Sequence, residues 1–371
     1  MVGRELDLGP SRGSARDLAW HHRRRSLRLR DRPAAPDSRE QRRETRSPRA
    51  SSRPACRHRV GQPRARTRRV TLTPTPPQLG HRLEWGLIPA VPVPFRGHEL
   101  ARDALRAYAS WMAEHQVAGV AVSAHTGRGP HLSPEQRHLV LSTWRAALPM
   151  STIVAGASSL EMAQEAKAGG ADALLAFPRA DDPVGFHDAL SRELPVIAFY
   201  LYAGAGGVAY DNQTLHALLS LPNVIGIKVA TLDSVLTFQR IAGLMRDHPE
   251  KLLITGEDRF LGYSFTMGAR AALIGLGAAL TNIQLGLIES FRTGDFAKFV
   301  KLAGLCDRFA GATFVPPMEG YVRRMLWALA AEGVIPDDAC DDPWGPSLPA
   351  EERDSVRRAV RDARGTRVTL P

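Results

Sequence analysis

Lysine is scarce in this chain although positive charge is abundant: only five of the 49 basic residues are lysine, and the rest are arginine. Arginine can replace lysine wherever only a positive charge is needed, but it cannot form an imine with a carbonyl compound. Lys228 lies inside the apolar segment 224–230, where burial of an ammonium ion is costly. The sequence therefore predicts amine chemistry at Lys228. The alternative is a strand-end lysine whose stem packs against apolar neighbours while its amine reaches water.

Cysteine and long apolar runs are scarce as well. Cys56, Cys306 and Cys340 are far apart in the sequence, which argues against a disulfide framework and against a zinc site. No apolar run approaches the roughly 20 residues that a membrane helix requires, and no charged-then-apolar signal peptide opens the chain. The sequence also has no C-x-x-C, H-E-x-x-H or phosphate-loop pattern. We therefore expect a cytoplasmic protein without a metal site, a cofactor or a membrane partner.

The positive charge is concentrated near the N-terminus. Residues 1–80 contain 21 Arg, no Lys and seven acidic residues, a net charge of +14, whereas the rest of the chain carries −3. Because this segment is rich in Pro and Ser and lacks a sustained apolar period, we expect residues 1–83 to be disordered. An Arg-rich arm can bind nucleic acid, but aromatic interleaving is limited to Trp20, so we do not expect such a partner. The seven acidic residues argue against a transit peptide, and upstream sequence read from a misplaced start is the alternative.

From about Glu84 onward, short apolar runs alternate with amphipathic stretches of helical spacing. Strands that are apolar throughout and separated by helices indicate a parallel sheet covered on both faces. Eight such units predict an α/β fold of the (β/α)8 TIM-barrel type over residues 84–288, followed by a C-terminal helical domain over residues 289–366. The predicted strands are 87–93, 117–123, 152–155, 173–177, 196–200, 224–228, 252–255 and 272–275, and the clearest predicted helices are 99–115, 134–147, 159–168 and 232–246.

In a TIM barrel the functional residues gather at the C-terminal ends of the strands. Here the second predicted strand leads into residues 123–127, the fifth ends at Tyr200, the sixth reaches Lys228 and the seventh leads into residues 256–258. We expect these residues to meet at one mouth of the barrel.

Three segments of the barrel region carry a resemblance to a known family: Ile88 to Phe95, Ser123 to Glu135, and Asn223 to Lys228. They resemble the dihydrodipicolinate synthase and N-acetylneuraminate lyase family of class I aldolases, in which a GTTGE loop and a following LSxEE stand at the place of Ser123 to Glu135. The segment Val315 to Arg324 resembles the family's C-terminal domain. The resemblance extends over about residues 85–363 and implies that Lys228 is the Schiff-base lysine.

The resemblance also implies roles for other residues. Counting from Tyr200 to Gly207 without a gap matches the family's YNxPxxTG stretch, which places the catalytic tyrosine at Tyr200, with Tyr202 as the competitor. Alternation along a strand would place both tyrosines on one face. The remaining implied residues contact the substrate: His125 and Thr126 hold the carboxylate of a 2-oxo acid. Gly256 and Ile274 line the opposite wall, and the alternative for these two is that they only serve small or apolar packing.

The chain departs from the family pattern in ways that affect the substrate more than the chemistry. The arginine that binds the second carboxylate in dihydrodipicolinate synthase would fall at Ala205, so that activity is not expected. The tyrosine pair usually contributed by a neighbouring subunit is absent from residues 177–183, and His125 is a candidate to replace it in proton transfer. Arg128 and Arg179 are candidates for holding a distal carboxylate, and the alternative is that both are simply solvated.

We therefore expect a lyase, a Schiff-base aldolase or dehydratase that acts on pyruvate or a keto-deoxy sugar acid. The expected assembly is a homotetramer or homodimer. The alternative is a non-catalytic barrel that binds a 2-oxo acid or sugar acid, or that serves as a structural oligomer.

Overall fold

The computed structural model describes residues 75–232 and 234–365, and most of the predicted disordered segment lies outside them. Its last residues are ordered: Pro76–Leu83 form helix α1, which begins after Thr75. Leu79 and Leu83 are fully buried, in the same apolar cluster as Ile225 and Leu252. The prediction of disorder through residue 83 is therefore wrong for residues 76–83, because two leucines one helical turn apart give this helix an apolar face.

Eight parallel strands form one sheet, in the order β1-β10-β9-β8-β7-β6-β5-β4. Hydrogen bonds join its two edge strands, from Val91 N to Ala121 O at 3.1 Å and from Ala118 N to Leu87 O at 3.0 Å. The (β/α)8 barrel predicted from the sequence is confirmed. The sheet consists of β1 Leu87–Pro89, β4 Gly119–Val122, β5 Thr152–Ala157, β6 Ala173–Ala176, β7 Val196–Leu201, β8 Val224–Ala230, β9 Leu252–Thr255 and β10 Ala271–Ile274, while β2 Phe95–Arg96 and β3 Glu99–Leu100 form a separate antiparallel pair.

Helices follow the barrel strands and cover the sheet. Helix α3 has the predicted bounds, and Ser133 and Gln136 cap its N-terminus with reciprocal hydrogen bonds. The remaining helices are α2 Arg102–Met112, α4 Leu160–Ala168, α5 Pro183–Ser191, α6 Asn212–Ser220, α7 Val235–Leu244, α8 Leu261–Thr266 and α9 Thr281–Thr293, and α3 is Pro134–Ala147.

The strands divide the apolar side chains between two clusters. The inner cluster takes residues from all eight barrel strands and, among the described helices, only from α1, whereas the outer cluster joins the sheet to the surrounding helices. Along β7, Phe199 and Leu201 belong to the inner cluster and Tyr200 to the outer one. Side chains alternate between the inside and the outside of the barrel along each strand. Only residues that point inward can therefore reach the barrel mouth.

Three helices follow the barrel, α10 Phe296–Thr313, α11 Tyr321–Ala331 and α12 Ala350–Gly365. The predicted domain boundary at residues 288 and 289 falls inside α9, which continues to Thr293. None of the helices in the described part of the chain is long and apolar enough to cross a membrane.

Arg324 on α11 anchors the connection between α10 and α11. Its side chain is fully buried, and its guanidinium donates hydrogen bonds to Val315 O at 2.7 Å and to Pro317 O at 3.2 Å. Its Nε also donates to Glu352 on α12 at 2.7 Å. This single side chain therefore fixes where α11 begins.

Candidate active site

The amine of Lys228 lies at the centre of a small pocket at the C-terminal ends of the strands. The side chain is 5% exposed, and Nζ lies 4.2 Å from the centroid of the Phe199 ring. Burial lowers the pKa of Lys228, and the carboxylates of Asp258 and Glu257 oppose this shift only in part. A larger fraction of the amine is therefore neutral near pH 7 than for an exposed lysine, which is the form that attacks a carbonyl carbon.

The pocket is narrow: its cavity volume is about 20 Å³, and the space between the lining atoms, counted with the open solvent at the mouth, is about 350 Å³. Its walls come from the ends of β4, β7, β8, β9 and β10 and from the start of α11. The lining residues are His125, Thr126, Phe199, Leu201, Tyr202, Lys228, Ala230, Leu232, Gly256, Asp258, Gly275, Phe314 and Tyr321.

Gly256 makes room for the lysine. A Cβ atom at this position would lie 2.6 Å from Cε of Lys228 and 2.8 Å from Cβ of Ala230, closer than non-bonded carbon atoms approach. The absence of a side chain at residue 256 thus allows the Lys228 stem to run across this wall.

The loop after β4 brings His125 and Thr126 to the pocket. The loop folds back tightly, since a Cβ atom at Gly129 would lie 1.8 Å from Ser123 O. Within the described residues the backbone N–H groups of His125 and Thr126 have no hydrogen-bond acceptor. Two backbone donors are therefore available to an anionic ligand.

A chain of polar side chains connects this loop to the start of α11. The hydroxyl of Tyr321 lies 3.0 Å from Thr126 Oγ1 and 3.0 Å from His125 Nδ1. On its other side, His125 Nε2 lies 3.3 Å from Glu319 Oε2. Tyr202 donates its hydroxyl hydrogen to Glu319 Oε1 at 2.6 Å. Five side chains from three segments of the chain thus form one connected network.

Glu319 is the acceptor at the centre of this network. Burial acts to raise its pKa, but hydrogen bonds from His125, Tyr202 and Arg128 outweigh burial and lower the pKa of Glu319 well below its usual range. Glu319 is therefore a carboxylate over the whole range of physiological pH.

Arg128 does not face the pocket as a free cation. Its guanidinium donates to Asp342 Oδ2 at 2.7 Å, to Glu319 Oε2 at 2.9 Å and to Glu319 O at 3.0 Å, and its Nε donates to Asp342 Oδ1 at 3.1 Å. The hypothesis that Arg128 holds a distal carboxylate of the substrate does not fit this arrangement. Arg179 stacks over the Phe186 ring at 5.3 Å and does not line the pocket.

Two neighbouring carboxylates follow β9. Glu257 is fully buried and accepts hydrogen bonds from Thr231 N at 2.6 Å and Leu232 N at 2.9 Å, so it fixes the loop after β8. Asp258 lines the pocket and accepts from Leu276 N at 2.7 Å. Burial raises the pKa of both carboxyl groups, and Lys228 opposes this shift at Asp258. Of the two carboxylates, Asp258 opposes the lowering of the Lys228 pKa more strongly than Glu257 does.

Tyr200 is not brought to the pocket. Its ring belongs to the outer cluster, 6.5 Å from the Tyr210 ring and beneath the guanidinium of Arg240. Tyr202 lines the pocket instead. The strand ends at Leu201 and a 3₁₀ turn follows Tyr202, so the expectation that both tyrosines share a face fails. The geometry thus corrects the choice of Tyr200 in favour of its competitor.

Ile274 is also placed differently from the prediction. It is fully buried in the outer cluster, whereas Gly275, the next residue, lines the pocket. A Cβ atom at Gly275 would lie 3.3 Å from Thr126 Oγ1 and 3.2 Å from the Tyr321 ring. The opposite wall is therefore formed at residue 275. The structure does bring Lys228, His125, Thr126 and Gly256 together.

Glu319 and Tyr321 were missed in the sequence, although they lie in the segment 315–324 that supported the resemblance. The sequence pattern assigns that segment to a separate helical domain. A signal was present, because an acidic residue and a tyrosine stand between two predicted helices, where side chains are free to face a site.

Comparisons with known proteins show which family the chain resembles. The family model described as the Dihydrodipicolinate synthetase family matches residues 84–363. The chain is 28% identical over 254 residues to 4-hydroxy-tetrahydrodipicolinate synthase of Ruegeria pomeroyi, and 30% identical over 256 residues to that of Roseobacter denitrificans; each match covers 62% of this chain and 84% of the relative.

The fold is shared with solved structures of the same group. N-acetylneuraminate lyase from Mycoplasma synoviae aligns with a TM-score of 0.63 at 22% identity, covering 76% of this chain and 98% of the other. Dihydrodipicolinate synthase from Oceanobacillus iheyensis aligns with a TM-score of 0.68 at 18% identity, covering 78% of this chain and 100% of the other. Because the family model spans the barrel, the pocket and the three C-terminal helices together, the chain belongs to the dihydrodipicolinate synthetase family.

Proposed function

We propose that this chain is a lyase of the class I aldolase type, in which Lys228 forms a Schiff base with a 2-oxo acid. The observation that carries the proposal is a lysine amine with a lowered pKa, buried among the aromatic and hydroxyl side chains at the barrel mouth. Arginine supplies nearly all the other positive charge of the chain, which leaves the amine chemistry as the reason for a lysine here.

The chemistry begins with attack of the neutral Lys228 amine on the ketone carbon, C2. The resulting carbinolamine loses water and becomes an iminium, which withdraws electrons from C3 and so stabilises the loss of a proton or a carbon substituent there. The N–H groups of His125 and Thr126, with the Thr126 hydroxyl, hold the substrate carboxylate. Tyr202 takes the role of the catalytic tyrosine at C3, since its hydroxyl lies in the pocket and Glu319 orients it.

The substrate that fits this pocket has one carboxylate near Lys228 and none at its far end. The positively charged or protonatable nitrogen groups among the lining residues are Lys228 and His125, and His125 is paired with Glu319. Arg128 is occupied by protein carboxylates, and Ala205 contributes no charge. We therefore propose pyruvate or a keto-deoxy sugar acid as substrate and a reaction different from that named for the curated relatives.

Incubation with pyruvate and sodium borohydride is expected to give a stable covalent adduct, because the reagent reduces the imine to a secondary amine. Intact mass measures the adduct, and peptide mapping should place it on Lys228. Lys251 is the internal control: its amine is also buried, but it donates to Leu221 O and Val224 O at the other end of the barrel. Lack of an adduct with pyruvate and with longer 2-oxo acids would favour a non-catalytic binding barrel.

The pH dependence of adduct formation is expected to move when Asp258 is replaced by asparagine. The Asp258 carboxylate raises the pKa of Lys228, so its removal lowers this pKa further and the neutral amine appears at lower pH. In Asp258→Asn the rising limb of the rate of adduct formation should therefore shift to lower pH. Asp307→Asn changes the net charge equally at an exposed position on α10 and should leave the limb in place. A shift to higher pH would contradict the proposed charge interaction between Asp258 and Lys228.

A further inference from the structure

The hydrogen-bonded side chains of Thr126, Tyr321, His125 and Glu319 form a path along which protons can move. We propose that Tyr321 passes protons between the pocket and His125, so that the proton relay of the Schiff-base reaction is completed within a single chain. The inference rests on the proposed function. It is carried by the Tyr321 hydroxyl, which lies 3.0 Å from both Thr126 Oγ1 and His125 Nδ1 at the wall of the lysine pocket.

The two hydrogen bonds of the Tyr321 hydroxyl can reverse their direction, whereas the contact between His125 and Glu319 cannot. A carboxylate only accepts, so His125 Nε2 carries a hydrogen that points to Glu319. In neutral His125 the Nδ1 atom accepts from the Tyr321 hydroxyl, which in turn accepts from Thr126. When Nδ1 is protonated it donates to the Tyr321 oxygen, and Tyr321 then directs its hydrogen towards Thr126 and the pocket. One proton can therefore pass between His125 Nδ1 and the pocket without the formation of a tyrosinate.

The relay hydroxyl is held in place from two sides. The Tyr321 ring stacks on Phe314 with the ring centroids 4.7 Å apart, and Tyr321 is the first residue of α11, whose start Arg324 fixes. Glu319, two residues earlier, is held by Arg128 and Tyr202. The hydroxyl therefore stands at a fixed point between the loop after β4 and the pocket.

The proton balance of imine formation requires such a relay. A neutral amine and a ketone become an iminium and water by consuming one proton: the N–C2 bond forms, the C2–O bond breaks and the oxygen leaves as water. Tyr321 donates the proton to the departing oxygen and receives another from His125 Nδ1, which leaves His125 neutral. Hydrolysis of the product iminium returns a proton along the same path.

Tyr321→Phe tests the relay, because it keeps the stacked ring and removes only the hydroxyl. Under single-turnover conditions the rate of borohydride-trapped adduct formation should fall by about 100-fold, the usual contribution of a general acid. Imidazolium or another small buffer acid should restore part of the rate in the variant and have little effect on the wild type. Tyr108→Phe is the matched control: its hydroxyl is also buried, but it donates to Ala278 O outside the pocket.

The pH profile separates a relay from a packing role. The groups that face His125 are Glu319, Tyr321 and Tyr202, with Arg128 beyond Glu319 and His131 on the same loop. A relay makes the rate depend on the charge state of this network, so the pH profile of the wild type should have a falling limb that Tyr321→Phe lacks. A lower rate with the limb unchanged would mean that the hydroxyl only supports packing.

Mixed assemblies test whether the relay acts within one chain. Lys228→Ala and Tyr321→Phe chains are unfolded and refolded together. If Tyr321 served the pocket of a neighbouring copy, some mixed sites would hold both intact residues and regain wild-type rates; we expect no gain. If the wild type forms no adduct with any 2-oxo acid, the proposed function itself fails. If the wild type reacts and Tyr321→Phe reacts equally fast, only the relay fails.

Discussion

Lys228→Arg is expected to abolish the exchange of the pyruvate methyl hydrogens for solvent deuterium. An iminium at C2 acidifies C3, so a Schiff-base enzyme exchanges these hydrogens even when the second substrate is unknown. Arginine keeps the positive charge but cannot form the imine, and the exchange rate should fall by roughly 10³-fold or more, as when other covalent nucleophiles are removed. Proton NMR of pyruvate in deuterated buffer measures the rate directly.

Lys251→Arg provides the comparison for this experiment. Its amine is largely buried and donates to backbone carbonyls, but it lies just before β9, at the end of the barrel away from the pocket. Exchange at a rate near that of the wild type is expected for Lys251→Arg. Catalysed exchange that survived in Lys228→Arg would place the imine on another amine and remove the basis of the proposed function.

Arg324→Met is expected to cause the largest loss of stability. Methionine fills much of the volume but leaves the Glu352 carboxylate and the Val315 carbonyl without the guanidinium donor. Breaking a buried ion pair by removing one partner typically costs 3 to 5 kcal/mol, so a decrease of about 3 kcal/mol in the free energy of unfolding is expected. Urea denaturation followed by circular dichroism measures it.

Arg357→Met is the matched control for this loss. Arg357 also lies in the C-terminal region and pairs with Asp337 at 2.8 Å, but both side chains are more than a third exposed. An exposed pair contributes about 1 kcal/mol at most. Equal decreases in the free energy of unfolding of the two variants would show that Arg324 stabilises the C-terminal region no more than an exposed arginine does. Because Arg324 fixes the start of α11, which carries Tyr321, Arg324→Met should also slow the exchange of the pyruvate methyl hydrogens.

The barrel could be predicted because its pattern is local. Each strand is a short apolar run and each helix has its own spacing and cap, and helix α3 has the predicted bounds because Ser133 and Gln136 mark its start. Lys228 was recognised by a local contrast, a lysine inside an apolar strand. Helix α1 was missed because its basic, proline-rich surroundings obscured an apolar face made by Leu79 and Leu83.

The site was only partly predictable, since its missing members depend on small backbone changes and on distant segments. Tyr202 reaches the pocket because β7 ends one residue earlier, and Gly275 lines the pocket in place of Ile274 because neighbouring residues of a strand point to opposite sides. Tyr321 and Thr126 are 195 residues apart in the sequence and meet only in the folded protein. No local periodicity reports a contact of this kind.

The ion pair between Arg128 and Asp342 spans 214 residues, and this separation has a consequence for synthesis. A chain emerges from the ribosome N-terminus first, so the strand that carries Lys228 is made well before Glu319, Tyr321 and Asp342. The barrel of a nascent chain can bury the amine, but the acidic and hydroxyl groups that serve it arrive last. The proposed reactivity of Lys228 towards ketones should therefore begin only after residues 319–342 have left the ribosome.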